Sequence, residues 1–115
     1  MTAALAIITA TIFPGLAQAH AILEDSSPKV GGTVHAGPID MQLRYNSRID
    51  QGRSRLVLIR ADHTQAPVSI APGSPPDLIR CHLDLRPGAY TIRWQVLAVD
   101  GHITRGDVPF TVTGP

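Results

Sequence analysis

The fold class this sequence predicts is an all-β sandwich of about seven short strands in one domain. Three observations predict it. Apolar and polar side chains alternate with period two in several short stretches, the pattern of a half-buried strand. Turn-forming clusters separate those stretches, and the chain carries ten Pro and ten Gly, residues that fix or relax φ in tight connections. No stretch beyond the leader reads as a helix.

The first 19 residues stand apart. Residues 1–16 are almost wholly apolar, and Ala17-Gln18-Ala19 follows with small residues around a polar one. That run is shorter than the roughly 20 apolar residues a membrane span needs. An apolar core ending at an A-x-A-like site is the form of a secretory signal. Pro14-Gly15 supports this over a buried N-terminal helix, because the pair breaks a helix just before the cut. The leader has no Lys or Arg, so Met1 carries its only positive charge. Residues 1–19 therefore read as a signal peptide and residues 20–115 as the exported, soluble domain.

The elements follow in order. A first strand is expected near residues 21–25 and a short one near Val34. Ile39, Met41, Leu43 and Tyr45 alternate with Asp40, Gln42 and Arg44, a third strand with one apolar face. Leu56-Val57-Leu58-Ile59 is continuously apolar, as expected of a strand covered on both faces. Ile79, Cys81 and Leu83 alternate with Arg80 and His82. Tyr90, Ile92, Trp94, Val96 and Ala98 repeat the pattern, as do Val108, Phe110 and Val112. Turns fall at 27–32, 37–38, 71–76 and 86–88, each rich in Pro or Gly. There is no internal repeat and no second domain.

Charge and cysteine content narrow the function. The formal net charge is +1, with no basic run and only 4% aromatic residues, which argues against nucleic acid as a partner. Cys81 is the only cysteine, so no intramolecular disulfide can form. A small exported domain without disulfides relies on its core or on a bound metal.

Cleavage after Ala19 would make His20 the first residue and put an α-amino group beside its imidazole. An α-amine titrates near 7.7–8.0, at about the pH where a metal readily displaces its proton. Amine and imidazole Nδ1 can then close one chelate ring, the arrangement called a histidine brace. Asp100-Gly101-His102 offers a carboxylate and a second imidazole. Residues two apart in an extended segment share a face, and Gly101 lets the chain turn at the strand end. Nitrogen donors with a carboxylate or water in tetragonal array favour Cu(II). The bland reading is that Asp-Gly is an ordinary hairpin turn and His102 a surface residue.

His20-Ala21, Ser26-Ser27-Pro28, Tyr90-x-Ile92-x-Trp94, Asp100-Gly101-His102, and Gly106 followed by Phe110-x-Val112 together resemble the CopC family of exported copper-binding proteins. The likeness covers essentially all of residues 20–115. It implies a seven-stranded Greek-key β-sandwich or barrel, cupredoxin-like or immunoglobulin-like. It implies Cu(II) held by the amine and imidazole of His20, by His102, and by or beside Asp100. It also implies a periplasmic role in copper resistance, buffering or uptake, with a CopD-type inner-membrane protein as the copper partner.

The chain departs from that pattern twice. Family members with a methionine-rich loop hold a separate Cu(I) site, whereas Met41 is the only methionine after the leader and alternation points it inward. Where relatives often have Phe followed by an acid, this chain reads Tyr45-Asn46-Ser47-Arg48, so Asn46 offers only a neutral partner. His35, His63 and His82 read as solvated and Cys81 as a small core residue. Binding rather than catalysis is expected. A copper oxygenase is disfavoured because Tyr45, Tyr90 and Trp94 all point inward and leave no aromatic sugar platform. The remaining alternative is a metal-free immunoglobulin-like binding or assembly module.

Overall fold

A computed structural model of the chain describes residues 21–114. These form eight strands: β1 (Leu23–Ser27), β2 (Gly32–His35), β3 (Gly37–Tyr45), β4 (Ile49–Arg60), β5 (Gln65–Val68), β6 (Leu78–Leu85), β7 (Gly88–Ala98) and β8 (Ile103–Thr113). They lie in two sheets, ordered β1-β3-β6 and β2-β8-β7-β4-β5. Every pairing is antiparallel except β2 with β8. The chain changes sheets between β3 and β4, at residues 46–48.

The alternation seen in the sequence sets which face is buried. Met41, Leu43 and Tyr45 of β3, with Ile79 and Cys81 of β6, supply one side of the core. Leu56 and Leu58 of β4, Ile92, Trp94 and Val96 of β7, and Val108, Phe110 and Val112 of β8 supply the other. Burying each of the larger side chains is worth about 1.5–3 kcal/mol, which gives a disulfide-free domain its main support. Trp94 lies opposite Gly106 in the β7–β8 ladder. A Cβ at Gly106 would come 2.3 Å from Trp94 Cζ2, so the indole takes the space a side chain would fill. Tyr45 meets Trp94 edge-on at 5.2 Å between ring centroids.

Three details differ from the sequence expectation. Eight strands form, because Gln65–Val68 adds an edge strand to β4. Strand β4 begins at Ile49 and crosses a register break between Asp50 and Arg55. Buried Ser54 spans that break: its hydroxyl donates to Asp50 O (2.7 Å) and accepts from Leu97 N (3.3 Å). The run 56–59 is covered fully on one face only, since Leu56 and Leu58 are buried while Val57 and Ile59 are half-buried. Among the described residues, no second layer lies on the outer side of the five-stranded sheet.

Candidate metal centre

Strands β7 and β8 are joined by Val99-Asp100-Gly101-His102, a tight hairpin end. Gly101 N donates to Ala98 O (2.9 Å) and Ala98 N donates to His102 O (2.8 Å). Gly101 takes φ +92°, the left-handed conformation that closes a type I turn with a one-residue bulge. Glycine reaches this region without the steric cost a Cβ brings. The Asp-Gly pair is thus a hairpin turn, as the bland reading had it, and that turn is what brings two donors together.

Both oxygens of Asp100 face His102. Oδ1 accepts from the His102 backbone N–H at 3.1 Å, and Oδ2 lies 2.9 Å from His102 Nδ1. The His102 backbone N–H, reinforced by its ring, holds the Asp100 carboxyl below the usual carboxylate range, with burial opposing. An ionised carboxylate can only accept, so this hydrogen bond puts the imidazole proton on Nδ1 and the lone pair on Nε2. The His102 side chain remains 55% exposed. The pair is therefore an oriented imidazole, backed by a carboxylate, at a solvent-facing strand end. That is the form a metal-ligating histidine commonly takes.

The start of the described chain lies at the same end of the sandwich. Ile22 N donates to Asn46 Oδ1 (2.8 Å), and Asn46 N donates to Ile22 O (3.0 Å). Asn46 thus clamps the residue after buried Ala21 onto the β3–β4 corner. Three residues further on, Ile49 pairs with Ala98, where the hairpin begins. Sequence reasoning picked out Asn46 only as a neutral partner and missed this clamp. An amide that mimics a backbone group at a sheet-switching corner was its one signal.

His20 and the leader, residues 1–19, lie outside the described residues. Among the described residues, Asp100 and His102 are the predicted donors brought together, and no group of three or more His, Cys, Asp or Glu could hold a metal. His35, His63 and His82 are exposed; His82 Nδ1 is hydrogen-bonded to Asp40 across β3 and β6. Cys81 is buried, and burial, with the nearby Asp40 charge, pushes its thiol up to about 11.

The CopC domain model matches residues 23–113, nearly the whole two-sheet body. The chain belongs to the CopC family. Protein YobA of Escherichia coli K12 is 29% identical over 113 residues, covering 95% of this chain and 91% of YobA. Among solved structures, CopC from Methylosinus trichosporium OB3b superposes with a TM-score of 0.73 at 26% identity, over 83% of this chain and 95% of that one. PcoC, a methionine-rich copper resistance protein from Escherichia coli, superposes with a TM-score of 0.64 at 27% identity, over 83% and 100%. The similarity to CopC spans both sheets, so the hairpin of this CopC-family chain sits within the matched region.

Proposed function

We propose that this CopC-family chain is a periplasmic Cu(II)-binding protein that buffers the ion or passes it to a membrane copper protein of the CopD type. Copper is its cargo, and binding rather than turnover is its activity. The ligands in this reading are the amine and imidazole of His20, exposed by removal of residues 1–19, together with the imidazole of His102. Asp100 aims that imidazole from behind and lies beside the ion.

The observation that carries the reading is the shared end of the sandwich. Ile22 is clamped by Asn46, and that corner leads within three residues into the strand paired with the base of the 99–102 hairpin. A residue two positions before Ile22 is within about 7–8 Å of it along the chain. That short tether to the clamped Ile22 supports a brace on His20 at the same end of the sandwich as the oriented His102. The similar solved structures are CopC and PcoC, a copper resistance protein, and that likeness supports the same cargo.

The test is a Cu(II) titration of protein expressed with its leader and purified as the cell processes it, after mass spectrometry has read the first residue. The reading predicts a chain starting at His20 that takes up one equivalent of Cu(II), and loss of that uptake in His102→Ala. A chain starting at His20 that binds no stoichiometric copper would overturn it.

A further inference from the structure

Beside the hairpin, the outer face of the five-stranded sheet carries features that metal binding leaves unused. Leu97 and Ile103 stand opposite one another where β7 and β8 enter the turn. Ile103 is 51% exposed and Val99, in the turn, is 69% exposed. Of the four exposed large apolar residues among those described, Ile22, Val99 and Ile103 lie at this end, and only Val30 lies elsewhere.

The next row of the same face is cationic. Arg55, Gln95 and Arg105 are in register across β4, β7 and β8, and Arg105 Nε donates to Gln95 Oε1 at 2.7 Å. Among the described residues, no carboxylate lies within 4 Å of Arg55 or Arg105. Arg93, one row further on, differs in being held by both oxygens of Asp107, at 2.9 and 3.1 Å.

We propose that this face docks a carboxylate-bearing protein surface with an apolar centre, on a partner that exchanges copper at the hairpin. The exchanged ion rests on the function proposed above; the docking face does not. An apolar patch bordered by polar and charged groups is the usual anatomy of a protein interface. Guanidinium groups lacking an internal counter-ion match carboxylates two-pronged, and such charge complementarity sets encounter rate and register. A lipid surface fits less well. Two arginines contribute only about 1 kcal/mol each near an anionic leaflet. Membrane-interface proteins also present Trp and Tyr, whereas Trp94 and Tyr45 are buried here and Tyr90 Oη is tied to Arg86 O.

The experiment titrates a capped peptide of alternating Glu and Leu into copper-free, isotope-labelled protein and follows backbone amide shifts. A Lys-Leu peptide and phosphatidylglycerol vesicles serve as parallel probes. The proposal predicts shifts concentrated at residues 55, 95, 97, 99, 103 and 105 that weaken with salt. It also predicts at least a tenfold loss of peptide affinity in both Arg55→Gln/Arg105→Gln and Arg55→Glu/Arg105→Glu, each with unchanged Cu(II) uptake. His102→Ala should dock the peptide like wild type, so failure of the copper reading leaves the docking result legible. Shifts on the β1-β3-β6 sheet or at strand edges would overturn the proposal. So would equal binding of the Lys-Leu peptide, undiminished affinity in the arginine variants, or preference for the vesicles.

Discussion

The two oxygens of Asp100 are both engaged by His102, one by its backbone N–H and one by its ring, and this division decides what the carboxylate does. A group that orients a ligand is replaced by a side chain with an acceptor in the same place. Asp100→Asn keeps an acceptor for Nδ1, so its copper affinity should stay within a few-fold of wild type, whereas Asp100→Ala should lose roughly 10–100-fold. Isothermal titration distinguishes the two, and equal, near-total loss in both would make Asp100 a direct ligand instead. Asn46 is tested the same way. Asn46→Ala removes one acceptor for Ile22 N, worth about 1 kcal/mol of stability, and should also weaken copper uptake; Asn46→Asp retains the acceptor and should rescue it. Asp100-Gly101-His102 was legible in the sequence because three residues carry the turn and the donors together. The Asn46 clamp was not, because its partner is a backbone group 24 residues away.

Cys81 was legible as a core residue from alternation alone, and burial raises its thiol from the ordinary 9.0 to about 11. At pH 8 that leaves roughly one thiolate in a thousand, so alkylation by iodoacetamide should follow unfolding rather than proceed in the native state. The sign for stability follows from the raised value. The contribution of this neutral thiol is fully present below its unfolded value near 9 and is lost as pH rises toward about 11. A chemical-denaturation series from pH 8 to 11 checks it. Cys81→Ala should remove that component of the pH dependence.

Strands whose alternation is long and unbroken were readable, and those that depend on a partner were not. β3 and β7 each show at least four inward apolar residues in period two, enough to define both strand and face. β5 is four residues long and contains Pro67, which normally argues against a strand, yet it occupies a sheet edge, where a missing N–H can be tolerated. The first half of β4, with Asp50, Gln51, Gly52 and Arg53, shows no period-two pattern to read, because its bulge interrupts the alternation. At the β7–β8 pair, Gly106 is dictated by the Trp94 ring 2.3 Å from where a Cβ would stand. Gly106→Ala should therefore cost about 1–3 kcal/mol through overpacking, read as a lowered denaturation midpoint with a changed Trp fluorescence maximum. A midpoint equal to wild type would show that the indole does not fill that space.

For the whole molecule, the sandwich brings the β3–β4 corner that clamps Ile22 and the β7–β8 hairpin to one end, although the corner at 46–48 and the hairpin at 99–102 are more than 50 residues apart along the chain. Composition and alternation predicted two sheets, but which strands lie adjacent is a property of topology, and period-two patterning is silent on it. Copper should stabilise the folded protein by mass action, with Tm rising as free Cu(II) exceeds Kd. Because the amine and imidazoles bind metal only when deprotonated, affinity should fall as pH drops below their titration range. The most direct test is electron paramagnetic resonance of protein that mass spectrometry shows to begin at His20, carrying one equivalent of Cu(II). The account predicts a tetragonal signal with hyperfine structure from about three nitrogens; a signal with a single nitrogen, or one matching free aqueous copper, would contradict it.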